Sequence, residues 1–300
     1  MMSDPQHPGA TEAANRSIRF LFDHADIRGE TVHLDSAYRE VLAIHQYAPA
    51  VGRLLGEFMA AAVLLSTTLK FDGKLILQAR SEGQIPLLMV ECNSALEIRA
   101  IARGADQATA EGFHELLANG QLAITVDPDR GQRYQGIVPL SGDSLAHSLD
   151  AYFSNSEQLG TRLWLAADDQ RAAGLLLQQL PQQVAEDAEQ RQQQWEHACT
   201  MAETVRDTEL LEMDTPQLLH LLYHEEPVRL YEPHAVVFRC NCSRERTLNA
   251  LSAINPAEID ALLEELGCIT MDCEFCNQQY RFSREDLATA QESEGTRTLH

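Results

Sequence analysis

Apolar residues run almost without a break from Val51 to Leu69, and the Leu, Ala and Met content of that stretch predicts one buried helix after Pro49. Its most apolar part, Phe58 to Leu69, holds twelve residues including Ser66, Thr67 and Thr68, short of the roughly 20 that a membrane span requires. Beyond it the pattern changes to short β-type runs: Leu75 to Ala79, Leu87 to Glu91, Glu97 to Ala102, Leu122 to Val126 and Tyr134 to Leu140. Turn-rich pieces such as Ser81-Glu82-Gly83 and Asp127-Pro128-Asp129 separate them. A helix over Ser144 to Phe153 and two further strands, Arg162 to Ala166 and Gly174 to Leu180, carry the segment to Pro181. Strands clustered apart from helices predict an α+β core domain over residues 16–182. The stretch before it, residues 1–15, is polar, carries Pro5, Pro8 and Gly9, and lacks the basic start and apolar run of a secretory signal. It reads as a disordered tail.

After Pro181 the apolar pattern thins. Eight glutamines fall between Gln178 and Gln194, and helix formers dominate as far as Arg206. Val184, Ala188, Trp195, Ala198, Ala202 and Val205 recur at helical spacing, but half of them are alanines, which bury little surface. From Glu186 to Glu232 there are 12 acidic and 3 basic residues, a net of −9 that opposes compaction. Residues 183–236 therefore read as a metastable helical linker that depends on its neighbours, since an isolated helix is weak in water. Within it a second helix is expected from Thr215 as N-cap with Pro216 at N1, through Leu218, Leu219, Leu221 and Leu222.

Residues 237–300 alternate strand and helix signals around cysteines. Val236 to Arg239 is a strand leading into Cys240. Asn255 caps a helix with Pro256 at N1 and Glu258 at N3, its apolar positions Ile259, Leu262, Leu263 and Leu266 ending at Gly267. Cys273 and Cys276 follow on a turn, with Tyr280 and Phe282 behind them. Cys240-x-Cys242 and Cys273-x-x-Cys276 have the paired spacing of a zinc site built from two ligand-bearing turns. Two intervening residues let a tight turn aim both sulfurs at one ion. One intervening residue on a straight strand points them to opposite faces, so the first pair must sit on a bend. Four thiolates close the tetrahedron and leave no open position for a hydrolytic water. A unit this small has little core, and Zn²⁺ binding, worth roughly 10–16 kcal/mol in comparable peptides, would supply most of its stability.

Two readings of such a zinc remain open: a permanent staple in a protein-interaction module, or a switch in which each close pair of thiolates closes on itself once oxidised. Charge excludes other partners. With 23 basic and 45 acidic residues the formal charge is −22, which repels phosphate backbones and anionic lipid heads. Between Cys240 and Leu287 nine acidic and four basic residues give −5, the wrong sign for a nucleic-acid-binding zinc ribbon. A thiol oxidoreductase is disfavoured because Cys273-x-x-Cys276 follows a helix far from any βαβ pattern, and Gly73-Lys74 lacks the glycine loop of an ATP site. Cys92 reads as a core thiol and Cys199 lies on the linker, while Cys268, five residues before Cys273, could substitute as a ligand. His24, His33 and His45 read as ordinary surface or capped residues.

Several stretches together resemble one family. They are Tyr152-Phe153 with Ser156-Glu157-Gln158, Ala173-Gly174-Leu175-Leu176-Leu177-Gln178 before Pro181, and Tyr223-His224-Glu225-Glu226. The most specific are Phe238-Arg239-Cys240-Asn241-Cys242-Ser243-Arg244-Glu245-Arg246 and Cys273-Glu274-Phe275-Cys276. Over nearly its whole length the chain resembles the redox-regulated bacterial heat-shock holdase chaperones, the 33-kDa chaperonin family. The resemblance implies a cytoplasmic, ATP-independent chaperone for unfolding proteins, not an enzyme, inactive while Cys240, Cys242, Cys273 and Cys276 hold one Zn²⁺. It implies that oxidants with heat make a disulfide within each close pair, that zinc leaves, and that the linker unfolds. A homodimer is a candidate assembly of the oxidised form. Cys268 and the N-terminal tail depart from the usual pattern.

Overall fold

The computed structural model describes residues 15–68, 72–156, 160–252 and 254–287. The expected tail lies outside them except for Asn15, whose side-chain oxygen accepts the N–H groups of Asp35 and Ala37 and so holds the start of a helix. Two compact units divide the chain between Arg239 and Cys240.

The first unit opens with a hairpin, β1 (Arg16–Phe22) and β2 (Ile27–Leu34), then two helices, α1 (Ser36–Ile44) and α2 (Pro49–Thr68). Strands β3 (Gly73–Arg80), β4 (Leu87–Asn93) and β5 (Glu97–Arg103), the short α3 (Phe113–Leu116), β6 (Gln121–Pro128) and β7 (Tyr134–Pro139) follow. Next come α4 (Leu145–Ser156), β8 (Thr161–Ala167) and β9 (Ala172–Gln179). The remainder is α5 (Ala188–Ala202), α6 (Asp207–Glu212), α7 (Thr215–Tyr223) and three short strands, β10 (Val228–Leu230), β11 (His234–Ala235) and β12 (Val237–Phe238). One sheet has the order β10-β1-β2-β9-β8, with β11 also on β1, and the other β12-β5-β4-β3-β6-β7. The mixed helix and sheet expected from the sequence is what forms.

Helix α2 packs against strands of both sheets, which explains its lack of a polar face. It begins at Pro49 and runs 20 residues, so by length and composition it could cross a membrane. Burial, rather than the shortness read from the sequence, marks it as a core helix: Val51, Leu55, Phe58, Met59 and Leu64 are wholly buried.

The first sheet is apolar on both faces. Along β9, Ala172 and Leu176 face the α2 core, while Ala173, Leu175 and Leu177 face the other way. That outer face, with Phe20, Phe22 and Ile27, is covered by Ala198, Cys199, Ala202, Leu210, Leu218, Leu219, Leu222 and Tyr223 from α5 to α7. Thus the segment 183–236 closes a second core. Its apolar stripe is shorter than its periodicity suggests, because α5 starts only at Ala188, capped by Asp187, and Val184 stays exposed. Thr215 is not the N-cap of α7. Asp214 takes that role by accepting from Gln217 N–H, while the Thr215 hydroxyl is buried against Thr31 of β2 at 2.7 Å. His33 is not an ordinary surface residue either; its ring nitrogen meets the Leu210 carbonyl at 3.1 Å.

The second unit contains α8 (Arg244–Ser252), α9 (Pro256–Leu266) and a hairpin of β13 (Ile269–Asp272) and β14 (Gln279–Phe282). Asn255 caps α9, and Gly267, at φ 74°, ends it in the left-handed conformation that glycine adopts without strain. Among the described residues, the buried cluster here is Leu251, Ile259, Leu263, Ile269, Phe282 and Leu287. Leu262 and Leu266, also expected on the apolar stripe of α9, are exposed.

Candidate metal centre

Cys240 and Cys242 lie on the irregular segment between β12 and α8. Arg246 of α8 donates to the Asn241 carbonyl at 2.8 Å, holding the residue between the two cysteines. Cys273 and Cys276 lie on the turn joining β13 to β14. The Cys276 and Asn277 N–H groups both donate to the Cys273 carbonyl, and Asn277 sits at φ 55°, which an asparagine tolerates. Both turns therefore aim their sulfurs inward.

All four Sγ atoms lie within 4.8 Å of one another. Cys240 and Cys273 approach to 3.6 Å and Cys242 and Cys276 to 3.4 Å. A tetrahedron with zinc–sulfur bonds of about 2.3 Å has edges of about 3.8 Å, so the donor set and its spacing fit Zn²⁺. Burial pushes the Cys273 and Cys276 thiols above the ordinary range; the neighbouring sulfurs push Cys276 further the same way, whereas for Cys273 the Cys240 sulfur adds to the rise and the Cys276 sulfur opposes it. A divalent cation among them reverses that preference by binding the thiolate form.

Comparison with known proteins bears on the whole chain. The family model described as Hsp33 protein matches residues 15–283. The chain belongs to the Hsp33 family. It is 54% identical over 278 residues to the 33 kDa chaperonin of Pseudomonas paraeruginosa, covering 92% of this chain and 94% of that one. To the 33 kDa chaperonin of Azotobacter vinelandii it is 56% identical over 273 residues, 90% of this chain and 92% of the other. The crystal structure of the Thermotoga maritima 33 kDa chaperonin superposes with a TM-score of 0.79 at 20% identity, over 94% of this chain and 99% of that one, which establishes the Hsp33 fold.

All four cysteines singled out by spacing meet in this cluster. The other three do not join it. Cys92 is buried in β4 and Cys199 in α5, both with thiols pushed up to about 12 by burial, and Cys268 is exposed. Tyr280 carries more than its place behind the turn suggested, for its hydroxyl reaches the Cys242 sulfur at 3.1 Å. Alternation along β14 puts Tyr280 and Phe282 on one face, but only the fold shows which sulfur it touches.

Proposed function

We propose that this chain is a redox-gated, ATP-independent holdase whose four cysteines hold one Zn²⁺ in the resting state and release it on oxidation. The observation that carries this is the four-sulfur cluster, which joins two segments of a unit whose buried core, among the described residues, is small. Zinc bound by Cys240, Cys242, Cys273 and Cys276 would supply structural stabilisation of that unit, not turnover chemistry. The sulfurs are both the metal's donors and its oxidisable groups. Closing a disulfide within each close pair, as the family resemblance suggests, removes all four thiolates and with them the site.

The client surface, on this reading, is the outer face of the first sheet. Phe20, Phe22, Ile27, Leu175 and Leu177 form an apolar face that α5 to α7 now cover. Displacing that cover would uncover a patch able to hold unfolded chains by burial alone, without nucleotide. Clients are unfolding proteins, and the acidic charge of −22 favours neither nucleic acid nor anionic membranes. We assign the protein to the cytoplasm, where free thiols persist.

The deciding measurement follows zinc release and suppression of client aggregation together, without nucleotide, before and after peroxide at elevated temperature. Reduced protein should carry one zinc per chain, and both signals should rise in parallel. Full protection by reduced, zinc-loaded protein would instead establish the constitutive zinc-stapled module. Cys273→Ser should lose tight zinc binding, because three thiolates leave the tetrahedron open.

A further inference from the structure

His33 lies on the face of β2 that the linker helices cover, opposite Arg16 of β1 in the hairpin register. Its Nε2 meets the Leu210 carbonyl of α6 at 3.1 Å, and a carbonyl only accepts, so Nε2 carries the hydrogen and Nδ1 holds a bare lone pair. That Nδ1 is closed off from solvent and has no hydrogen-bond partner among the described residues, and the same is true of Arg16 Nε. Both side chains line a cleft of about 150 Å³ between the first sheet and the corner where α6 turns into α7. The other charged groups facing it are Arg171 just before β9, Asp35 after β2, and Glu212 and Asp214 of the corner. All three carboxylates are already engaged: Asp35 pairs with Arg39, Glu212 with Arg171 at 3.6 Å, and Asp214 caps α7. Burial first, and then the Arg16 charge, hold the His33 pKa below the ordinary imidazole value, against the Leu210 and Met213 backbone and the Asp214 carboxylate, which favour the proton. The docked linker accepts the neutral ring.

We propose that His33 is a proton-operated latch: protonation of its ring in mild acid loosens α6 and α7 from the first sheet, with no oxidant required. A second proton on the ring adds a charge beside the Arg16 guanidinium and an Nδ1–H where no partner is now in place. With α6 lifted away, the same ring stands on an open sheet face in water and takes that proton at about 6.5. The open form therefore binds more protons. A histidine held neutral by docking contributes its stability above the open-state value and loses it as pH falls below that value. One unit below, the difference in proton binding shifts the balance toward the open form by about tenfold at most. Glu57 of α2 shifts it the other way, because acid removes the cost that its carboxyl carries near the Asp207 charge of α6. The contribution of His33 is therefore the difference that a variant makes, not the whole response to pH. The release is a property of the packing; only its use, uncovering the apolar face to clients, rests on the function proposed above.

The test uses the full-length, reduced chain in saturating Zn²⁺, as wild type and as His33→Gln, whose amide can still donate to the Leu210 carbonyl but does not titrate. Amide-exchange protection, corrected for the pH dependence of intrinsic exchange, is compared at pH 7.5 and pH 5.5 over residues 208–222 and over β3 to β6. Between the two pH values wild type should lose about tenfold more protection at 208–222 than the variant, and no more than the variant at β3 to β6. An equal change in the two proteins, or an excess loss in wild type that extends to β3 to β6, overturns the latch. Should the variant fail to dock, the wild-type ring decides by NMR. His33 should still be mostly the neutral Nε2–H tautomer at pH 6.5, and a ring half charged there overturns the proposal. Suppression of client aggregation at pH 5.5 separates the latch from the function it would serve. If wild type opens at 208–222 as expected yet protects clients no better than His33→Gln, the latch stands and the client surface proposed above falls.

Discussion

Glu57 of α2 is held at about 7, raised first by burial and then by the Asp207 carboxylate at the start of α6, with Arg53 pulling the other way. An acid whose pKa is raised by folding carries its cost on the alkaline side. Below the ordinary carboxylate range it is neutral in both states, and as pH rises through 7 the folded chain must accept a half-buried charge near a like one. Glu57→Gln should therefore stabilise the first unit at pH 8, by on the order of 3 kcal/mol at most, with most of the gain gone at pH 5. Thermal unfolding followed at the two pH values checks this, and equal gains at both would contradict it. Residues of this kind were not legible in the sequence, whereas the four zinc-type cysteines were. Cysteine pairs announce themselves by spacing within a few positions. Glu57 acquires its character from the packing around it and from Asp207, and Thr31 its partner from Thr215, across distances in the chain that no local pattern encodes.

Among the elements, the helix and strands between Val51 and Leu180 were readable because each has one period and sharp turn signals. The hairpin β1–β2 was missed. Gly29 interrupts β2 because Phe20 lies across it: a Cβ there would come within 2.0 Å of the Phe20 ring. Glu30 and Thr31 are buried polar residues satisfied by Ser17 and Thr215, so the alternation is blurred by groups whose partners lie elsewhere. The same hairpin anchors the linker. Asp26, in its turn, accepts the N–H groups of Gln183, Val184 and Ala185. Burial alone would raise its pKa, but those three bonds and Arg191 together hold it below the usual carboxylate value. A depressed acid contributes its stability above the unfolded-state value and loses it as pH falls through the folded one. The latch is thus fully present at pH 7 and released in acid. Asp26→Ala should strip amide-exchange protection from residues 183–185 at pH 7, leaving that of β3 to β6 intact. Unchanged protection at 183–185 would mean the carboxylate anchors nothing.

For the whole molecule, the activation proposed here requires one core to open while the other holds. Cys199 and Cys92 report on the two separately, since Cys199 belongs to the cluster under α5 to α7 and Cys92 to the one around α2. In a chain with its other cysteines replaced by serine and its linker loosened by Asp26→Ala, Cys199 should alkylate at least tenfold faster than Cys92. Equal rates would mean global opening. Trp164 cannot serve as a silent reporter of the larger core, although it lies on β8, because its ring packs against the cluster that the linker covers. Trp164 and Trp195 should both redden when the linker leaves. The edge of the first sheet adds a different consequence. Strand β1 has its outer edge occupied by β10 and β11, segments that lie beyond the linker helices, and the Asp23 N–H ends that ladder on the Pro227 carbonyl. If those strands depart with the helices, the main chain of Arg16–Phe22 is left as an open template, able to pair with any extended polypeptide whatever its side chains. A surface that reads backbone as well as grease would explain breadth of client choice without a sequence code, and the exchange rate of the single Asp23 amide would show whether that edge is ever free.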